Sequence, residues 1–546
     1  TAKDRLVFTY PQNDADGQLL ACSPYVKRIM AAFGLKETDV RDRLAAFLGT
    51  PRTLLTDLLT QSRAAFQNQA DLDSQWQAIL AYELAVNQTL TLKLLNSLDY
   101  HNEILPNTKP SADGHKRLIK ELLKELYRRG KNAALFGSVS RLESFYANPY
   151  EFFLKYGLQL EKRKEFMLSP ADTGTYFHNL LDEFMRLIHA DKTYLKRLTS
   201  REFDHYMKRA VTNVQQQAKE QEGYLFDASA RLDFLRQQLE SRAYQVGQAI
   251  WKQRQDQAIY TLETEATFGF QANAQLDGLV FPTGKRFAQD ETLNLQGRID
   301  RLDLVISELN RHYLSVVDYK SGNTDLKLKD FLTKALNGLS LQLLTYLAVL
   351  QKDSNQAKLK QLLLEMDLPP AEQLEVGATT YLNLFSGRLA FKDYQPLLEK
   401  KKTFEDLFMQ QYQYKGLFRL EEDADFLLAL DQKLKAKPAK SLPYNISHQS
   451  SDKFKANGSS QLLTLEQLEQ LVQLNLQKIE QARQEIFGGI IDLKPYKLDS
   501  QTDGLLYSDY LPIMLFDPMV GNEYRKIKTL STEEVWAQIK HELQKG

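Results

Sequence analysis

Residues 293–320 read LNLQGRIDRLDLVISELNRHYLSVVDYK, and the fold is decided here. Two strand-like runs, LNLQGRIDRLDLVISE and HYLSVVDYKSG, flank the short polar turn LNR (309–311) in the manner of a hairpin. Side chains alternate along a strand, so Asp318 and Lys320 project from one face and an acid and a cation share a pocket. Asp300 lies on the preceding strand, within reach of Asp318 across the sheet. Two converging carboxylates make a hard-cation site suited to Mg²⁺ or Mn²⁺. Asp303, three residues beyond Asp300, faces the other way and reads as structural.

Outward from this core, TGTYFHNLLDEFMRLIHA (173–190) forms a strongly amphipathic helix. Its His178 completes a magnesium or manganese site with the carboxylates, although taken alone it reads as a packed or surface histidine. TLETEATFGF (261–270) and ATTYLNLF (378–385) are further strand-like runs, and LSLQLLTYLAVLQ (339–351) is a helix. On it Gln342 and Tyr346, four apart, put an amide and a phenol on one face among leucines, either as polar edges of a core helix or as a wall of the site. The middle of the chain is therefore α/β, a small mixed sheet flanked by helices. Asp-x-Lys alone decides nothing, since it recurs at Asp325 to Lys327, Asp431 to Lys433 and Asp492 to Lys494. Only the last follows an apolar run, and Pro495 comes directly after it.

Residues 1–135 read as mainly helical after an opening strand (Leu6 to Tyr10), with Ser23 capping a helix that Gly34 ends and a further helix from Arg117 to Arg129. In SVSRLESFYANPYEFFLKYGLQL a helix begins at Ser140, turns at Pro149 and continues as an aromatic helix. Residues 136–430 hold the core. Residues 431–463, rich in Lys, Ser, Pro and Asn, read as a linker or mobile loop. In 464–546, a helical and loop-rich part expected to pack on the core, Thr464 and Gln467 form a capping box.

The chain has 546 residues, 43% apolar and 26% charged, as in an ordinary globular protein of several domains. Lys plus Arg equals Asp plus Glu at 70 each, so net charge says nothing of partners. The single cysteine, Cys22, excludes a disulfide framework, a cysteine-based zinc site and an all-cysteine iron–sulfur cluster, and points to a reducing compartment. There is no run of 18 apolar residues and no secretory pattern at the start, so a cytoplasmic location without membrane contact is expected. The chain opens on Thr1 and reads as a fragment or processed form. DGLVFPTGKRFA has one residue too many between its glycines for a phosphate-binding loop, and Arg286 follows Lys285, so ATP hydrolysis by this chain alone is not expected.

The ordered motifs GTYFH, GRIDRLD, VVDYKSG and LQLLTY resemble the RecB-type branch of the PD-(D/E)XK nucleases, with a restriction-endonuclease-like fold. The flanks, LVFTYPQNDADGQLLACSPYVKRI and SVSRLESFYANPYEFFLKYGLQL with ATTYLNL, look like the C-terminal half of the B subunits of AddAB (RexAB) helicase–nucleases. The resemblance implies His178, Asp300 and Asp318 as metal ligands, Lys320 as catalytic lysine, and Gln342 with Tyr346 as the associated motif that positions DNA. It implies a Mg²⁺- or Mn²⁺-dependent deoxyribonuclease, an exonuclease, acting on a single strand produced by unwinding. An A-type motor subunit would be its partner in double-strand-break repair, and residues 1–135 the end of a helicase-like region. Many such B subunits hold an iron–sulfur cluster on cysteines, but here Asn148 precedes Pro149 and the tail KPYKLDSQTDGLLYSDYLPIMLFDP has no cysteine. Packing must replace that staple. The competing reading is a catalytically silent architectural subunit that holds DNA and docks a motor. A sugar or nucleotide hydrolase has no supporting motif.

Overall fold

The computed structural model describes residues 7–10, 20–37, 51–67, 70–96, 98, 126–127, 134–162, 170–220, 226, 228–255, 257–281, 291–322, 324–384, 391–399 and 403–545. The chain divides into two compact units, residues 1–102 and 103–546. In the first, the described residues form α1 (Pro24–Phe33), α2 (Pro51–Gln67), α3 (Ser74–Val86) and α4 (Gln88–Asn96). The expected opening strand is not formed over residues 7–10, and Leu6 lies outside the described residues. Ser23 does occupy the N-cap of α1, but its side chain makes no capping bond, and Gly34 closes the helix in the left-handed conformation at φ +63°. The helix expected at 117–129, apart from residues 126–127, and residues 282–290 lie outside the described residues.

In the second unit the described residues include β1 (Leu135–Gly137) and α5 (Val139–Ala147), whose N-cap is Ser138, two residues before the expected start. Helices α6 (Pro170–Ala190), α7 (Ser200–Lys219) and α8 (Ala230–Arg254) follow. Then come β2 (Ile259–Gly269), β3 (Leu276–Asp277), β4 (Leu279–Phe281), β5 (Leu293–Leu295), β6 (Gly297–Ile306) and β7 (His312–Lys320). Helices α9 (Leu328–Leu336), α10 (Gln342–Leu350) and α11 (Asp353–Glu365) lead to β8 (Leu374–Asn383) and β9 (Tyr414–Arg419).

β6 and β7 are the expected antiparallel hairpin, paired from Arg301↔Val317 to Ile306↔His312, and Asn310 supplies the left-handed residue of its turn at φ 56°. They sit within a mixed seven-stranded sheet of order β13-β9-β8-β7-β6-β2-β3, where β13 is Gln461–Leu463 and β7 runs parallel to β8. Alternation along the hairpin loads both faces. Val305, Tyr313 and Val317 pack with Phe177 and Leu181 of α6 and Val246 of α8, while Leu302, Leu304, Leu314 and Val316 pack with Leu347 of α10 and Leu359 and Leu363 of α11. Helices thus cover the sheet on both sides, an α/β/α sandwich. No helix among the described residues is long and apolar enough to cross a membrane.

The stretch 431–463, expected to be a linker or mobile loop, is folded instead. It forms β10 (Ala439–Ser441), β11 (Ile446–His448) and β12 (Phe454–Ala456), an antiparallel sheet, and then β13 (Gln461–Leu463), which joins the main sheet beside β9. Leu434, Tyr444, Ile446 and Leu463 are buried, and Tyr444 stacks on Tyr414 at 5.2 Å. These spaced apolar anchors hold the polar residues between them in place. Thr464 and Gln467 form the expected capping box of the long helix Leu465–Phe487. In the tail, Leu493, Leu505 and Met514 pack on Tyr150 and Leu154, and the buried Asn148 donates its amide to Met514 Sδ at 3.2 Å.

Asp303 faces away from Asp300, as its spacing requires, into a buried charge cluster. Arg254 Nη2 and Arg301 Nε donate to its Oδ2 at 2.5 and 3.1 Å, and Thr261 donates to Oδ1 at 2.8 Å. Arg301, fully buried, also donates to the hydroxyls of Tyr319 (2.9 Å) and Tyr414 (2.8 Å). Replacing the shared carboxylate strands two guanidinium groups in the interior, so Asp303→Ala is expected to cost about 3–5 kcal/mol. This is read as a fall in the denaturant midpoint, and a midpoint equal to the parent's contradicts the assignment.

Candidate active site

The ladder between β6 and β7 stops at Arg301↔Val317. One residue further, the Asp300 side chain takes over: its Oδ2 accepts the Tyr319 backbone N–H at 2.6 Å. The other edge of β7 stays paired to β8 as far as Lys320↔Asn383. β7 is therefore fixed from behind where β6 leaves it, and Asp300 and Asp318 face each other at the opening.

Asp318 is buried, with Lys320 Nζ 2.6 Å from its Oδ2. Gln342, the first residue of α10, joins both: its Nε2 donates to Asp318 Oδ1 at 2.7 Å and its Oε1 accepts from Lys320 Nζ at 3.0 Å. Its Nε2 also donates to the Tyr346 hydroxyl at 2.7 Å, one turn along the helix. The expectation for Gln342 and Tyr346 is a wall that positions DNA, and the structure places both beside Asp318 and Lys320. Tyr346 is only 4% exposed, and the polar atoms of both turn inward to the acid and the lysine.

His178 reaches the site from α6. Its Nδ1 lies 3.8 Å from Asp300 Oδ1 and 3.0 Å from Glu265 Oε1, and its ring meets the Tyr319 ring edge-on at 5.6 Å. One turn on, Asp182 Oδ1 accepts from the Thr264 hydroxyl at 2.5 Å, which anchors α6 to β2 beside that contact. Glu265 did not emerge from the sequence. It lies on β2 between the pairs Thr264↔Arg301 and Ala266↔Ile299, hence opposite Asp300, with φ +50° and its Oε2 2.9 Å from Arg298 Nη1. The available signal was the acidic strand TLETEATFGF, which lies upstream of GRIDRLD in the chain. The β2–β6 pairing carries a register shift between Thr261 and Glu263, which conceals from simple alternation which acid faces the site.

Donor atoms of His178, Glu265 and Asp300 lie within 4.8 Å of one another, the one such group of three or more among the described residues. Asp318 stands beside this group, turned to Lys320 and Gln342. Burial, reinforced by the charge of Asp318, pushes the Asp300 carboxyl up to about 7, with His178 opposing. Burial likewise raises Asp318 against the pull of Lys320. Burial draws His178 down, but the Glu265 hydrogen bond and the Asp300 charge outweigh it and hold the imidazole above its ordinary value. Burial also works on Glu265, yet His178 and Arg298 keep that carboxyl low. Three carboxylates and an imidazole crowded into a half-buried opening are a donor set that fits a divalent cation, whose charge would let the carboxylates ionise together. The rival triplets serve local ends: Asp325 pairs with Lys415 at 2.5 Å, and Asp431 accepts from the Lys433 backbone N–H at 3.0 Å.

Comparison with known proteins agrees with this architecture. Residues 137–498 match the profile of the PD-(D/E)XK nuclease superfamily. Proteins named as the B subunit of an ATP-dependent helicase/deoxyribonuclease are similar over nearly the whole chain. Identity is 29% over 100% of this chain for that of Pediococcus pentosaceus, and 31% and 32% over 99% for those of Latilactobacillus sakei and Levilactobacillus brevis. The chain spans 43% of the length of each of these curated relatives. With well over half of its length matched, including the hairpin that carries Asp300, Asp318 and Lys320, the chain belongs to the PD-(D/E)XK nuclease superfamily.

Proposed function

We propose that this chain hydrolyses DNA phosphodiester bonds with Mg²⁺ or Mn²⁺, as the exonuclease part of a helicase–nuclease that processes double-strand breaks for recombinational repair. The observation that carries this reading is the opening of the β6–β7 hairpin, where Asp300, Asp318 and Lys320 meet His178. The name of the relatives, which joins an ATP-dependent helicase to a deoxyribonuclease, supports the wider role. The partner would be an A-type motor subunit, and the substrate a single strand that the motor unwinds. Residues 1–135 would then be the end of a helicase-like region and 136–430 the nuclease core, with residues 464–546 packed on it.

His178, Asp300 and Asp318 would hold the cation, with Glu265 as a further donor beside His178. When held there, such an ion would supply Lewis-acid polarisation of the scissile phosphate and activation of a water nucleophile. Lys320 Nζ, fixed between Asp318 and Gln342, orients that water or offsets charge on the phosphate in the transition state. Gln342 and Tyr346 act behind this pair, by keeping Asp318 and Lys320 in place.

Cleavage of labelled single-stranded DNA, with Mg²⁺ or EDTA and with the motor subunit present, tests the reading. Asp318→Ala should abolish metal-dependent cutting and Lys320→Ala should slow it on the order of 10²- to 10³-fold. Parent-level cutting by Asp318→Ala overturns the assignment, and no cutting by the parent complex favours an architectural subunit. Calorimetric titration with Mn²⁺ tests the donor set separately: Glu265→Ala should weaken binding about 10- to 100-fold. Unchanged affinity would exclude Glu265 from the site.

A further inference from the structure

Helix α10 starts at Gln342 with Leu341 at its N-cap and no capping side chain from its own segment. The first N–H groups of a helix have no intrahelical acceptor, and those of Leu341 and Gln342 lie against an apolar core in which Leu341 is fully buried. Their acceptor comes from α5: Glu143 Oε1 accepts the Leu341 N–H at 2.7 Å and the Gln342 N–H at 3.2 Å. A carboxylate at a helix N-terminus also complements the dipole. The contact is built from both sides. Tyr146, three residues after Glu143 on the same face of α5, lays its ring so close to Gly338 that a Cβ there would come within 2.1 Å, and its hydroxyl donates to the Lys478 carbonyl at 2.7 Å. Burial pushes the Glu143 carboxyl up to about 7, the two backbone N–H groups and Lys320 opposing. Among the described residues it forms no salt bridge. An acid kept in such a place, where a local Ser or Asp would cap the helix at less cost, answers to the residue it holds.

We infer that Glu143 is a positioning residue for phosphodiester cleavage: by capping the first turn of α10 it fixes Gln342, which in turn aligns Asp318 and Lys320. The inference rests on the nuclease reading above. α10 is buried along its whole length, from Leu343 to Leu350, so the helix persists without the cap and only its first turn loosens. That turn carries the amide between acid and lysine, and a displacement of about 1 Å at such a point costs on the order of 10²-fold in rate.

The test compares the parent, Glu143→Ala, Glu143→Gln and Asp318→Ala, each as the full chain with its motor subunit. Single-turnover cleavage of single-stranded DNA is measured beside DNA affinity, Mn²⁺ affinity and hydrogen exchange at Leu341 and Gln342. Glu143→Ala should cleave about 10- to 100-fold more slowly at saturating DNA, with both affinities unchanged and faster exchange at the two amides. Glu143→Gln keeps an acceptor oxygen and should restore both protection and most of the rate, a rescue that general destabilisation would not give. Parent-rate cleavage by Glu143→Ala while Asp318→Ala is inactive overturns the inference and leaves the nuclease reading standing. Equal loss in both Glu143 variants also overturns it, because charge and not capping would then be responsible. A parent complex that cuts no DNA removes the nuclease reading, and this inference with it.

Discussion

The site depends on one hydrogen bond, from the Tyr319 backbone N–H to Asp300 Oδ2. An unpaired N–H at that depth is costly, and continuing the ladder would satisfy it with a backbone carbonyl. A side-chain acceptor at position 300 lets the two strands part without orphaning the donor. It also turns a carboxylate inward at the point of parting. Because β7 remains paired to β8 through Lys320, the parting opens the sheet on one side only. Asp318 and Lys320 are left on a rigid strand facing a gap, and a rigid strand holds catalytic geometry better than a loop.

The same strand stiffens the gap from the opposite face. Arg301 follows Asp300 directly, so alternation sends its guanidinium into the interior, where Asp303, Tyr319 and Tyr414 receive it. Tyr319 thus bonds Arg301 through its hydroxyl, meets His178 edge-on through its ring and gives its N–H to Asp300. A polar network of this kind fixes a unique arrangement when its members are satisfied, at the cost of strong destabilisation when one is removed. The acidic gap and the buried cluster are two products of a single alternating sequence, RIDRLD.

What the sequence disclosed, and what it concealed, follows from the range of each signal. Period-two alternation and a polar turn are local, so the hairpin and the shared face of Asp318 and Lys320 were legible. The four-residue spacing placed Gln342 and Tyr346 on one side of a helix, but not which way that side turns. It faces the acid and the lysine because α10 packs with Leu302, Leu304, Leu314 and Val316, a choice made by tertiary contacts. Glu265 was hidden by a register shift, which breaks the parity that would have exposed it, and by a backbone conformation at φ +50° that an L-residue adopts only under constraint. The folded region 431–463 was hidden by composition: strands of three residues give no period, and their anchors Tyr444, Ile446 and Leu463 are held by partners elsewhere in the chain.

Helix α5 shows how such distant pieces are brought to one place. Its Glu143 bonds a residue 198 positions away in sequence, Tyr146 one 332 away, and Asn148 just beyond its end one 366 away. Closing loops of this length costs entropy that grows only slowly with length, so the decisive question is what holds the ends once closed. With Cys22 as the only cysteine, no cluster of cysteines can do so. Apolar contact between Tyr150, Leu154, Leu493, Leu505 and Met514 takes that part, and the Asn148 amide on Met514 Sδ sets its position. The helix that meets the tail at one end thus meets the first turn of α10 along its side. Loosening the tail would therefore reach the site through α5, a path of packed side chains and the two backbone N–H groups that donate to the Glu143 carboxylate.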